Sequence, residues 1–238
     1  MKVVAESAYP TMAPAPRVRV AEFAPELERE GIHLEFRSLL SSEEYSSVVG
    51  AGRPATKGRI LARTAARAAR RQMLYDPPTL IHRLRSLVPL PGFDPPARTP
   101  IYDFDDALYL GSISDRNSRF SWLKREATRW HSYVKRATIV IAGNEHLAAK
   151  AREFSRRVEV VPSCVEPRTQ PVREHTQSDR LTLGWIGSPS TLGYLKHAVE
   201  ALSRHADTRK ITPAVVGASL GPNLSWIEER ECSIGKQA

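Results

Sequence analysis

The sequence predicts an α/β fold built on a mainly parallel sheet, on three observations. Strand-like and helix-like patterns alternate through the first two-thirds of the chain, as stacked βαβ units require. The chain opens on one such unit, a strand at Met1–Ala5, a helix, and a strand at Ile32–Leu39. Thr138–Ala142 reads Thr-Ile-Val-Ile-Ala, apolar and β-branched, as expected of a strand covered on both faces.

The elements follow in order. Pro10–Pro16 is a Pro/Ala-rich loop, and Val18–Glu30 is a helix with Val20, Phe23, Ala24 and Leu27 on one side, stopped by Gly31. A basic helix comes after the second strand, then Thr79–His82 as a short strand, a Pro-rich loop, and a strand at Ile101–Phe104. Asp115–Arg136 places Phe120, Leu123, Ala127, Trp130 and Val134 on one face of an amphipathic helix. Gly143 and Asn144 turn the chain into a helix at Glu145–Phe154, followed by a strand at Val158–Val161. Pro162, Pro167 and Pro171 then punctuate an aperiodic polar stretch, which reads as a linker. Leu181–Ile186 restarts a strand, a helix runs to Arg204, and Ile211–Val216 is one more strand. The tail Glu228–Ala238 is polar and shows no packing face. The expected layout is an α/β domain at 1–162, a linker at 163–180 and a short second α/β domain at 181–238.

Composition narrows the class. The 238 residues, 41% hydrophobic and 26% charged, are those of a soluble globular protein. No apolar run approaches the roughly 20 residues that span a bilayer. Met1-Lys2-Val3-Val4-Ala5-Glu6 lacks the apolar core of a secretory signal, so cytoplasmic residence is expected. Cys164 and Cys232 have neither zinc nor redox spacing and read as free thiols. The net charge of +9 concentrates between Arg53 and Arg85, where Asp76 is the single acid. Within that segment Arg59, Arg63, Arg67 and Arg70 recur at helical spacing, with Arg71 beside them. This stripe suits anionic lipid headgroups or phosphates at the inner face of a membrane, or it is a solvated helix face. Nucleic acid is not expected, because no helix-turn-helix, RNP-like aromatic pattern or zinc knuckle accompanies the charge.

Chemistry points to Ile101-Tyr102-Asp103-Phe104-Asp105-Asp106-Ala107-Leu108-Tyr109. Parallel sheets bind ligands outside the carboxyl ends of their strands, which is where Asp103, Asp105 and Asp106 fall. The alternative is structural, with Asp103 satisfying loop donors and Asp105 or Asp106 capping the turn toward Asp115. A Mg²⁺ or Ca²⁺ site would need further ligands, and none stands nearby in sequence. Gly187-Ser188-Pro189-Ser190 joins a strand to a helix N-terminus and suits a phosphate or sugar diphosphate, although Ser190 is also an ordinary N-cap. Asn144-Glu145-His146 is either a His beside a carboxylate or an Asn helix cap. His33, His82, His131, His197 and His205 form no ligand spacing, and no dinucleotide, P-loop, G-x-S-x-G or H-E-x-x-H motif occurs.

Five segments occur in an order that carries a resemblance: Pro16-Arg17-Val18-Arg19-Val20 entering a helix that ends Glu30-Gly31-Ile32, the Tyr102–Ala107 run, Val140-Ile141-Ala142-Gly143-Asn144, Val160-Val161-Pro162, and Gly184-Trp185-Ile186-Gly187-Ser188-Pro189. Together they resemble bacterial glycosyltransferases of family 4, of GT-B architecture with two Rossmann-like domains. The resemblance implies a retaining transfer from a nucleotide-sugar donor to a saccharide or lipid-linked envelope acceptor. It implies no cofactor and no metal, basic side chains and helix dipoles neutralising the leaving diphosphate. It puts Arg17, Arg19 and the acidic run on the acceptor side, with Asp105 or Asp106 orienting a hydroxyl, and Gly187 and Ser188 by the donor diphosphate. Family members continue into a donor half with a basic pair and two spaced glutamates. The chain ends at Gly235-Lys236-Gln237-Ala238 before these, so an apparently truncated donor domain is expected. The competing expectation is a non-catalytic basic module seated on a membrane or acidic partner by its arginine stripe.

Overall fold

The computed structural model describes residues 1–49, 54–73, 79–90, 93–94, 99–111, 125–164, 181–187, 192–205, 211–216 and 228–230. The chain forms two compact units, the first drawn from Met1–Ile113 and Ser118–Gln170, the second chiefly from Pro171–Ala238.

Among the described residues the first unit has six strands: β1 (Lys2–Ser7), β2 (His33–Ser38), β3 (Leu80–His82), β4 (Thr99–Phe104), β5 (Ala137–Ala142) and β6 (Val158–Val160). All neighbours are parallel, in the order β2-β1-β3-β4-β5-β6, so the α/β class with a parallel sheet is present as expected. The chain steps from β1 outward to β2 and then returns to the opposite side of β1 at β3.

The segment expected as one helix over Val18–Glu30 is three pieces. Helix α1 spans Pro14–Arg19, a 3-10 turn covers Ala21–Phe23, and helix α2 spans Ala24–Arg29. Proline explains both departures. Pro25 has no N–H and its ring would meet the carbonyl four residues back, so a continuous helix must stop and restart with proline in its first turn. The prolines at 14 and 16 serve the same start in α1, so the expected Pro10–Pro16 loop already turns helical at Pro14. Gly31, at φ +72°, ends α2 as expected, and Ile32 N–H donates back to the Leu27 carbonyl at 2.8 Å.

Helix α3 (Ser42–Val49) starts with a reciprocal cap. Ser41 Oγ accepts from Glu44 N–H at 3.2 Å, and Glu44 returns a carboxylate to Ser41 N–H at 2.8 Å. Helix α4 (Pro54–Met73) buries Ile60, Thr64 and Ala68 at helical spacing. Helix α5 spans Glu126–Arg136, and α6 spans Glu145–Arg152. The rest of the expected 115–136 helix, with Phe120 and Leu123, lies outside the described residues. Asn144 is the cap of α6, its side chain accepting from Leu147 N–H at 2.9 Å.

Strand alternation locates the core. Tyr102 and Phe104 of β4 point to one face, where with Val140 and Ala142 they pack on α5 and α6 through Trp130, Tyr133, Val134, Leu147 and Ala148. Tyr102 stacks on Tyr133 at 4.8 Å between ring centroids, and Phe104 meets Trp130 edge to face at 5.6 Å. Each such fully buried apolar side chain contributes about 1.5–3 kcal/mol. Asp103, between them, is thereby sent to the opposite face, toward α1.

In the second unit β7 (Leu181–Ile186), helix α7 (Leu192–His205) and β8 (Ile211–Val216) form a parallel pair with its crossover helix. The tail does not wholly lack packing. Strand β9 (Glu228–Arg230) runs parallel to β8, with Ala214–Val216 opposite it. Three polar residues carry no apolar alternation, so only the backbone ladder reveals this strand.

Candidate functional site

The carboxyl ends of β1, β3 and β4 carry buried polar side chains of the first unit, Glu6, His82 and Asp103. The register sets His82 opposite Asp103 and Phe104 opposite Ala142. On the α1 face Asp103 is almost fully buried and shares its oxygens between two cationic or polar groups. Arg19 donates Nε to Asp103 Oδ2 at 3.4 Å and a shorter bond from Nη2 to Oδ1, while His82 Nδ1 lies 2.6 Å from Oδ2. Arg19 also donates to the Val161 carbonyl beyond β6, so a single guanidinium ties α1 to β4 and to the chain leaving β6. His82 Nε2 is buried with no partner among the described residues.

One residue past β3, Arg83 forks onto the remaining two carboxylates. Its Nε donates to Asp105 Oδ1 at 2.6 Å, and its Nη2 lies 2.8 Å from Asp106 Oδ2. Its backbone stands at φ +56°, uncommon for a residue with a side chain, and its N–H donates to the Asp103 carbonyl at 2.7 Å. Burial pushes the Asp105 carboxyl up, but the Arg83 hydrogen bond and charge, aided by His82 and Arg19, outweigh it and hold Asp105 below its ordinary range. Burial likewise works against the Arg83 cation, and Asp105 and Asp106 more than offset it, so Arg83 stays protonated. Gly143 permits the packing here, since a Cβ at that position would stand 3.1 Å from Asp105 Cα and Cβ. Beside Arg83, burial raises the Tyr9 hydroxyl, with Glu126 adding to it and Arg83 opposing, and the Tyr9 and Tyr45 rings meet at 5.5 Å.

The other face of the same sheet end is held by a second buried network. Glu6 of β1 receives Arg85 Nε at 2.6 Å, and Arg85 lies 3.8 Å over the Phe93 ring. Asp94 accepts from Ser86 N–H, Ser86 Oγ and Tyr133 Oη, each at 2.5 Å, and pairs with Arg129.

The expected site residues are therefore distributed unevenly. Asp103, Asp105, Asp106 and Arg19 come together, but Arg19 and Asp103 are buried against each other and closed to solvent. Arg17 lies apart, half-exposed and 3.4 Å from Glu22. Asp103 satisfies side chains rather than loop donors. The arginine stripe is divided: Arg59, Arg63 and Arg70 are exposed, whereas Arg67 donates to the Leu39 carbonyl and to Glu44, and Arg71 donates to the Ser38 carbonyl at 2.7 Å. Arg67 and Arg71 thus satisfy the end of β2. In the second unit Gly187 N–H continues the sheet ladder, donating to the Val216 carbonyl at 3.2 Å, and Ser188 lies outside the described residues. Arg83, His82 and Glu6 were not singled out by sequence. The strand-end rule applied to Ile101–Phe104, applied equally to Leu80–His82, points to Arg83 at once.

Among the described residues no three His, Cys, Asp or Glu side chains are placed to hold a metal ion, and no helix is long and apolar enough to cross a membrane. An open cavity of about 400 Å³, lined by Tyr109, Trp130, His131, Lys150 and Phe154 among others, shares no residue with the polar cluster. The strand-end cluster is the better candidate, because it concentrates the charged groups and follows from the topology. Compared with known proteins, the chain matches no family model and no curated protein sequence.

Proposed function

We propose that the chain is a glycosyltransferase of GT-B type, or the larger part of one, moving a sugar with retention from a nucleotide donor to a saccharide or lipid-linked acceptor. The observation that carries this reading is the pair Asp105 and Asp106, held by Arg83 at the carboxyl ends of a parallel sheet, beside the point where strand order reverses. Asp105 is the fixed member, with a side chain 16% exposed, and Asp106 is open to solvent at 60%. Asp106 orients the acceptor hydroxyl and Asp105 holds the fork in register. The Gly187-Ser188 turn serves the donor diphosphate in this reading. A panel of UDP-, GDP- and ADP-sugars, titrated and then offered with saccharide acceptors, tests it. Asp106→Asn is expected to lower transfer about a hundredfold with an unchanged melting temperature. Full turnover in that variant removes the assigned role, and no donor binding by a cooperatively melting chain removes the enzyme.

The exposed Arg59, Arg63 and Arg70 favour a second reading, a peripheral contact with anionic membrane at the inner face. Arg59→Glu with Arg63→Glu is expected to abolish sedimentation with vesicles containing anionic lipid. These positions are chosen because Arg67 is a structural residue. Binding that persists in the double variant removes this reading.

A further inference from the structure

We propose that Arg83 is the receptor for an anionic group, phosphate or carboxylate, on the ligand of the first unit, and that Asp106 occupies its place in the free protein. Three observations carry the inference without appeal to the transfer reaction. The first is topological. The order β2-β1-β3 makes the gap between the carboxyl ends of β1 and β3 the switch point of the sheet, and Arg83 is the first residue beyond β3. The second is conformational. Arg83 adopts a positive φ that a side chain disfavours, and such residues concentrate at ligand clamps, where the surrounding structure holds them. The segment around Arg83 is pinned by Arg83 N–H on the Asp103 carbonyl and by Ala8 N–H on the Leu84 carbonyl, both at 2.7 Å.

The third observation is the asymmetry of the fork. The inner bond, Nε to Asp105, is shielded, and Gly143 is packed against Asp105. The outer one, Nη2 to Asp106, joins a guanidinium 23% exposed to a carboxylate 60% exposed. A planar guanidinium presents its outer edge to carboxylate and phosphate alike, so an incoming anion meets the same geometry that Asp106 now fills. An ion pair with one solvent-open partner exchanges more readily than the shielded Asp105 bond, which keeps Arg83 aimed. Asp106 is then released to the solvent edge of the site, where a ligand hydroxyl can reach it. His82, whose buried Nε2 has no partner among the described residues, immediately precedes Arg83.

Calorimetric titration of the full chain with inorganic phosphate, and separately with acetate, tests the proposal and tells the two anions apart. Saturable binding of either one is expected, lost in Arg83→Met. In Asp106→Asn binding should tighten about two- to fivefold, the range a partly exposed ion pair withholds from a competing ligand. Glu153→Gln removes another exposed acid and is expected to leave affinity unchanged. Equal tightening in Glu153→Gln and Asp106→Asn would reduce the effect to net charge and overturn the proposal. Unchanged affinity in Asp106→Asn, or no saturable binding of either anion, also overturns it. Should Arg83→Met fail to fold, the Asp106→Asn comparison decides by itself. A chain that binds anion at Arg83 yet transfers no sugar would lose the enzyme reading and keep this one.

Discussion

Asp103→Ala is expected to destabilise the first unit by about 3–5 kcal/mol, the loss that follows when one partner of a buried ion pair is removed. The carboxylate is almost inaccessible, and so is the Arg19 guanidinium that faces it. Removing Asp103 leaves that cation inside the protein with the Val161 carbonyl as its one remaining acceptor among the described residues, and leaves His82 Nδ1 without its acceptor at 2.6 Å. Desolvation of an unpaired charge then outweighs the small gain from a lost side chain. Urea unfolding of the full chain, with amide exchange in β4 and β5 as a local readout, checks the figure. Local exchange is needed because two units need not unfold as one. Asp103→Asn, which keeps an acceptor but no charge, is expected to fall between wild type and alanine. Arg19→Met combined with Asp103→Ala should cost less than Asp103→Ala alone, since the stranded charge is gone. A loss below about 1 kcal/mol would mean that the pair behaves as a solvated surface bridge.

That pair also marks where sequence reading reaches its end. β5 was legible because its run of apolar, β-branched residues reads as a strand, although only Val140 and Ala142 are buried and Ile139 and Ile141 on the other face are half-buried. The Asn144 cap was legible because its partner, Leu147, is three residues away. The Asp103 partners were not, because Arg19 precedes it by 84 residues and only the fold brings them together. The same holds for the basic stripe. Helical spacing places Arg59, Arg63, Arg67 and Arg70 near one face, yet spacing along one helix says nothing of what lies beside it. The carbonyl at the end of β2 and the Glu44 cap claim Arg67, which leaves three arginines in solvent. Pro25 is a different kind of miss. Its effect on a helix is local and was available from sequence, but the apolar periodicity of Val20, Phe23 and Leu27 obscured it. The switch point was out of reach for a third reason, since strand order is a property of the whole sheet.

Asp94→Ala is expected to cost the first unit a similar amount, about 3–5 kcal/mol, and to disturb the candidate site from a distance. Asp94 is fully buried and answers four donors: Ser86 N–H, Ser86 Oγ, Tyr133 Oη and Arg129. Arg129 in turn donates to the Ser86 carbonyl at 2.7 Å. The network therefore clamps the segment after β3 onto α5, and that segment begins with Arg83. Tyr133→Phe separates the contributions. It removes one hydrogen bond while leaving the charge pair, so a loss of about 1 kcal/mol is expected, with anion binding at Arg83 intact. Burial, with the Asp94 charge and hydrogen bond, already keeps the Tyr133 hydroxyl protonated, so no new charge is stranded by its loss. Asp94→Ala should act on both readouts, lowering the urea midpoint and weakening phosphate binding under conditions where the chain remains folded. If stability falls while phosphate affinity is unchanged, the strained backbone at Arg83 is held by its own bonds to Asp103, Asp105 and Asp106. If both fall together, the aim of Arg83 depends on a carboxylate that never approaches the ligand.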